Sequence, residues 1–189
     1  MELTTERLIL REFIADDLPA LIAYQSDPRY AEFYGPKESG SEHTLNLLET
    51  FLRWRAELPR QNYQLAVVER LSSPQPIGCC GVRRKGFERG FAEFGLEIAP
   101  QCWGRGLATE AARALLGFAF HDLCLRAIVG VSVTQNYRIA RLVNRLGFRP
   151  VGSRVGPDWM RARGWSQTEW RLTADGGPTG LAYRALHLS

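Results

Sequence analysis

The stretch Gln101-Cys102-Trp103-Gly104-Arg105-Gly106-Leu107-Ala108 sets two glycines one residue apart where a strand-like pattern gives way to a helix-like one. Glycine carries no Cβ and adopts positive φ readily, so backbone N–H groups at such a junction can be bared. The first N–H groups of a helix have no intrahelical partner, and the helix dipole adds partial positive charge beside them. The chemistry this suits is capture of a phosphate. Just upstream, Phe91–Ile98 alternates Ala92, Phe94, Leu96 and Ile98 against Glu93, Gly95 and Glu97. Glu93 and Glu97 therefore share one polar strand face, where a carboxylate partly buried beside a cleft can act as a base. The plainer readings are a tight turn packing a helix on a sheet and two solvated carboxylates.

Better-known nucleotide loops do not fit. The dinucleotide fingerprint fails because Thr109 stands where a third glycine or alanine belongs, and Ala127–Val133 ends without the ribose-binding acid. No Gly-Lys-Ser/Thr follows the glycines, so a P-loop fails as well.

The flanking elements must position this junction. Leu107, Ala111, Leu115 and Phe118 recur at helical spacing, so a helix begins within the glycines, and Pro100 ends the strand before it. Ahead of that strand, Thr5–Phe13 reads as a strand, and Asp16 and Asp17 as caps of a short helix carrying Leu18, Leu21, Ile22 and Tyr24. Asp27-Pro28 ends it. Tyr30–Gly40 is an aromatic loop, and Ser41 or Glu42 starts a helix through Leu45, Leu48, Phe51, Leu52 and Arg55. Tyr63–Glu69 and Ile77–Arg83 form a hairpin that leads into Phe91–Ile98. After the junction helix, the β-branched run Ala127–Val133 lies parallel to Phe91–Ile98, as a helical crossover requires. Asn136 caps a second helix with Ile139, Ala140, Leu142, Val143 and Leu146 inward, and Gly147 stops it. Phe148–Gly152 and Thr168–Leu172 are the last strands, separated by a segment bearing Trp159, Trp165, Arg154, Arg161 and Arg163. Residues 1–173 read as a single domain and 174–189 as a poorly packed extension.

Composition narrows the classes. A chain of 189 residues with 45% hydrophobic and 23% charged residues is an ordinary globular one. It shows neither a signal-peptide pattern nor an apolar run of membrane-spanning length, so a cytoplasmic protein without a membrane partner is expected. The net charge of +4 is carried almost wholly by arginine, Lys37 and Lys85 being the two lysines. It favours anionic ligands but is too diffuse for nucleic-acid binding. Cys79, Cys80, Cys102 and Cys124 have no metal-site spacing, and His43, His121 and His187 form no ligand cluster, so buried free thiols and no metal are expected.

The order Gln101-x-x-Gly104-x-Gly106 after a strand, then helix, strand, Asn136 at a helix start, and Leu146-Gly147-Phe148 resembles the GNAT superfamily of acyl-CoA-dependent N-acetyltransferases. Thr5-Glu6-Arg7-Leu8-Ile9-Leu10-Arg11 and Trp103-Gly104-Arg105-Gly106-Leu107-Ala108-Thr109-Glu110-Ala111 resemble its ribosomal-protein N-terminal acetyltransferase branch. The resemblance implies an α/β fold: a mixed, mostly antiparallel sheet with one splayed parallel strand pair, flanked by helices. It implies acetyl-CoA as cosubstrate. Backbone groups at Ile98 and Ala99 would bind the pantetheine arm; Gln101 belongs to the diphosphate motif, and the N–H groups of Gly104, Arg105, Gly106, Leu107 and Ala108 would hold the diphosphate. Asn136 would bond the pantetheine, a simple helix cap being the alternative or additional role.

The implied acceptor is a primary amine, a protein N-terminus or a small molecule, attacked directly in a ternary complex by a monomer or homodimer. Glu93 and Glu97 are the candidate bases, ahead of His43 and His121. Two positions depart from the family pattern: Val143 stands where a thiolate-protonating tyrosine is frequent, leaving water or Tyr137, and Ile139 replaces a frequent serine. The rivals are a non-catalytic acyl-CoA-binding module and a basic nucleic-acid binder.

Overall fold

The computed structural model describes residues 1–176. The strands are β1 (Glu2–Thr4), β2 (Leu8–Glu12), β3 (Asn62–Glu69), β4 (Pro76–Arg83), β5 (Phe91–Ile98), β6 (Ala127–Val133), β7 (Arg149–Val155) and β8 (Ser166–Thr173). The helices are α1 (Leu18–Gln25), α2 (Pro28–Ala31), α3 (Ser41–Ala56), α4 (Leu107–His121), α5 (Tyr137–Arg145) and α6 (Asp158–Arg161). The strands make one sheet in the order β1-β2-β3-β4-β5-β6-β8-β7. Among the described residues, β5 pairs with β6 in parallel and the other neighbours are antiparallel.

That parallel contact is short. Phe91 pairs with Ala127, Ala92 with Ile128 and Glu93 with Val129, and the ladder stops there. Beyond Glu93 the two strands diverge and open a wedge toward the glycine junction. The β4–β5 register sorts side chains onto two faces: Cys79 lies opposite Glu97 and Arg83 opposite Glu93, while Cys80 lies opposite Leu96 and Val82 opposite Phe94. On the apolar face, Tyr63 meets Phe118 of α4 edge-on at 5.2 Å, and Phe94 meets Phe148, just after α5, at 5.9 Å. Tyr24 and Gln25 of α1 reach the other face, where Glu97 projects.

Helix α4 is buried well beyond the expected stripe. Ala112, Ala114, Leu116 and Ala119 join Leu107, Ala111, Leu115 and Phe118 in the core, small residues allowing close approach to the sheet. Other expectations are revised. Strand β1 pairs with β2 although three residues carry too little periodicity to announce it. Pro28 opens α2 at its first helical position, with Asp27 accepting from the Arg29 N–H, so Asp27-Pro28 starts a helical turn as well as following one. Asp17 does not cap α1 with its side chain. Instead its carboxylate turns back to the Ile14 N–H at 2.9 Å and pairs with Arg11 through two bonds of 2.8 Å. Strand β7 runs past the expected Gly152 to Val155, as an exposed edge beside β8. Of the thiols, Cys79, Cys80 and Cys102 are buried, whereas Cys124 is exposed. The expected extension over 174–189 falls largely outside the described residues; within them, Ala174–Gly176 forms a 3-10 turn.

Candidate active site

The glycine junction is built on two left-handed backbone positions. Gly104 has φ +78° and Gly106 φ +80°, a region in which L side chains are strained. Gly106 is the N-cap of α4, with no side chain capping the helix. The first helical bond is donated by the Glu110 N–H to Gly106 O at 3.1 Å, so the N–H groups of Leu107, Ala108 and Thr109 have no intrahelical acceptor. Among the described residues, a Cβ placed on Gly104 would meet nothing within 4 Å, and one on Gly106 only the Arg7 guanidinium at 3.5 Å. The space above the junction is open, as a diphosphate cradle requires.

The Arg105 side chain is drawn away from that opening. Arg105 reaches Glu69 through bonds of 2.8 and 2.6 Å, leaving its backbone as its contribution to the junction. Its guanidinium is held above its usual range first by the Glu69 hydrogen bond. Gln101 is exposed, whereas Leu107 is buried and anchors the first turn of α4. Trp103 lies under Arg138, whose guanidinium carbon stands 4.5 Å from the ring centroid.

The wedge exposes backbone from alternate residues of β5. The Ala99 N–H donates to Ile77 O at 2.7 Å, so Ala99 faces β4 and its N–H is engaged in the sheet. By strand alternation Leu96 and Ile98 face the wedge instead. The Ile98 carbonyl accepts from Trp103 Nε1 at 2.7 Å, which ties the indole across the start of the junction. Asn136, on the opposite wall, caps α5 as expected: its Oδ1 accepts from the Ile139 N–H at 3.2 Å. Its other amide atom remains available to the cleft.

Glu97 and Glu93 are brought to the same cleft but differ in company. Glu97 accepts from Tyr24 Oη and Tyr34 Oη at 3.2 Å each, from Gln25 Nε2 at 3.4 Å and from Cys79 Sγ at 3.6 Å. None of these partners is a cation. Burial, followed by the charges around it, pushes the Tyr24 phenol up; burial and then Glu97 do the same for Tyr34 and Cys79, so all three stay protonated and able to donate. Thr44 Oγ1 donates to Gln25 Oε1 at 2.8 Å and so turns the Gln25 amine toward Glu97. Glu93 is instead ion-paired with Arg83 at 3.0 Å. Arg83 also donates to Gln64 Oε1 at 3.1 Å, and Gln64 Nε2 to Cys79 Sγ at 3.1 Å, so a polar chain links the two carboxylates.

A cleft of about 710 Å³ joins these parts, lined among others by Gly104, Gly106, Ile98, Asn136, Glu93 and Glu97. Val143, buried in its wall, offers no proton. Tyr137, the alternative acid, is 68% exposed and does not line the cleft. The arginines of the late segment are engaged elsewhere. Arg163 stacks on Trp159 and Trp165 and donates to Glu32 O at 3.0 Å; Arg154 bonds Gln167 and Arg161 pairs with Asp158. Trp165 packs on Phe33 at 6.0 Å, so these tryptophans join two loops. The shell around Glu97 was not read from sequence. The Cys79–Glu97 register was a usable signal, but Tyr24, Gln25 and Tyr34 come from elements whose packing sequence periodicity does not reveal.

Comparison with known proteins assigns the chain to a family. The family model of the acetyltransferase (GNAT) domain matches residues 7–149. The uncharacterized N-acetyltransferase YoaA of Bacillus subtilis (strain 168) is 30% identical over 151 residues, 79% of this chain and 84% of that protein. The crystal structure of a GNAT-family acetyltransferase from Bacillus anthracis superposes with a TM-score of 0.74 at 22% identity, covering 93% of this chain and 99% of that one. Spermidine N-acetyltransferase from Vibrio cholerae, solved with CoA and spermine, has the same fold with a TM-score of 0.74 at 17% identity over 91% of this chain and 98% of its own. With a family model that spans most of its length and a relative of 30% identity over most of both chains, this chain belongs to the GNAT family of N-acetyltransferases, enzymes that draw their acetyl group from acetyl-CoA.

Proposed function

We propose that the protein moves an acetyl group from acetyl-CoA to a primary amine by direct attack in a ternary complex, with the diphosphate at Gly104–Ala108 and the reacting amine beside Glu97. The observation that carries this reading is the continuity of one cleft from an open, doubly left-handed glycine junction to a carboxylate with no cationic partner among the described residues. Acetyl-CoA supplies an activated thioester; the chain's own residues hold and orient it. The N–H groups of Gly104 to Ala108 hold the diphosphate, the wedge-facing backbone of Leu96 and Ile98 bonds the pantetheine as an added strand would, and Asn136 bonds it from the other wall. Ala99, whose N–H is engaged by Ile77, supports the strand and does not donate to the arm. Gln101 and Arg105 shape the junction.

Glu97 takes the proton that the amine must lose as its nitrogen bonds the acetyl carbon and the C–S bond breaks. Protonating Glu97 breaks no ion pair, whereas protonating Glu93 would forfeit its bond to Arg83. Glu93 therefore serves second, tuning the site through the Arg83–Gln64–Cys79 chain. With Val143 inert and Tyr137 outside the cleft, water returns a proton to the leaving thiolate. The acceptor is an N-terminal α-amine, as the Thr5–Arg11 and Trp103–Ala111 wording of the ribosomal-protein branch suggests, or a small amine.

Thiol release from acetyl-CoA, measured against a panel of N-terminal peptides and small primary amines, tests the proposal. Amine-dependent release is expected. CoA binding without release on any amine would reduce the protein to an acyl-CoA-binding module.

A further inference from the structure

The glycine junction is gripped from behind by the N-terminal strand region, roughly a hundred residues away in sequence. Glu110, in the first turn of α4, accepts from Thr5 Oγ1 at 2.6 Å, from the Arg7 N–H at 2.8 Å and from Arg7 Nε at 2.7 Å. The Arg7 Nη2 atom completes the ion pair at 2.6 Å. With its remaining arm, Arg7 Nη1 donates to the Arg105 carbonyl oxygen at 2.9 Å. That carbonyl sits between the two left-handed glycines and shares a peptide group with the Gly106 N–H. A cation on the oxygen of a peptide group draws electron density from its nitrogen and strengthens the N–H as a donor. The same bond prevents the peptide from rotating its oxygen toward an incoming anion. Arg105 cannot perform this task, because its own guanidinium is held by Glu69.

We infer that Arg7 is a positioning residue for the donor substrate: fixed by Glu110, it locks and polarises the Arg105–Gly106 peptide so that the junction receives a diphosphate. The inference rests on the proposed seating of the diphosphate at Gly104–Ala108. It makes the Arg7–Glu110 pair a determinant of affinity for diphosphate-bearing thioesters specifically, not of the acetyl or pantetheine portion.

Calorimetric affinities of the full chain for CoA and for pantetheine, which has no diphosphate, separate the possibilities. For Arg7→Met, CoA affinity falls about tenfold, the scale of one charge-assisted hydrogen bond, while pantetheine affinity changes by less than about twofold. With acetyl-CoA the same variant raises KM and leaves kcat near its original value. Arg7→Lys, which keeps a donor and a charge, recovers part of the CoA affinity. An equal loss for both ligands would mean that Arg7 only stabilises the fold, and unchanged CoA affinity in Arg7→Met would refute polarisation; either overturns the inference. If the unmodified protein binds CoA no more tightly than pantetheine, the diphosphate seating itself fails and the inference with it.

Discussion

Substituting Gly104 separates backbone strain from electrostatics at the junction. Gly104 has φ +78°, and a Cβ there would meet no atom of the described residues within 4 Å. The unliganded protein therefore loses only what a left-handed L-residue costs, about 1–2 kcal/mol. For a chain of this size that corresponds to a fall in Tm of roughly 2–4 °C per kcal/mol. Asparagine and aspartate tolerate positive φ better than other residues and have nearly the same shape, so Gly104→Asn and Gly104→Asp carry closely similar strain. They differ by one negative charge. If that carboxylate lies about 6 Å from a bound phosphate, repulsion at an effective dielectric near 20 is about 3 kcal/mol, or roughly a hundredfold in affinity. Titration calorimetry with CoA should show Gly104→Asp about two orders of magnitude weaker than Gly104→Asn, with the gap narrowing as ionic strength rises. Equal affinities of the two variants at low ionic strength would refute the placement of the diphosphate over Gly104.

Two further perturbations address the base and the brace. Glu97→Gln should lower kcat by about two orders of magnitude or more, while Glu93→Gln lowers it less. A kcat for Glu97→Gln within about tenfold of the unmodified enzyme would move the base elsewhere. Glu110 tests linkage between charge and stability. Its burial favours the neutral acid, but bonds from Thr5, the Arg7 backbone and the Arg7 side chain prevail and hold its carboxyl below the ordinary 4.5. A folded value below the unfolded one stabilises the protein above pH 4.5 and ceases to do so as pH falls through the folded value. Urea unfolding should therefore find Glu110→Gln less stable than the unmodified protein at about pH 6, with the gap shrinking as pH falls below 4.5 toward the folded value. A stability gap that does not vary with pH would show that Glu110 contributes through shape alone.

Periodicity and glycine placement made much of the fold legible. The alternation in Phe91–Ile98, the helical spacing from Leu107 and the β-branched run Ala127–Val133 each depend on contacts a few residues away, and each stands where it was expected. Asn136 was readable for the same reason, since an N-cap bonds within its own turn. Short or edge elements were not: β1 has three residues, and β7 is exposed along its whole length and so carries no inward face to betray its extent. At the candidate site, sequence named both carboxylates and the glycine junction because those properties are local. Which carboxylate pairs with Arg83, and that Ala99 points into the sheet while Ile98 points into the wedge, follow from strand register. Sequence alone determined the order of the elements and the chemistry each could offer. Tertiary structure decided partners: Arg83 for Glu93, two phenols, an amide and a thiol for Glu97, and Arg7 for the peptide between Gly104 and Gly106. The division has one physical cause, that backbone conformation responds to near neighbours along the chain, whereas charge pairing and desolvation are set by residues that only folding brings together.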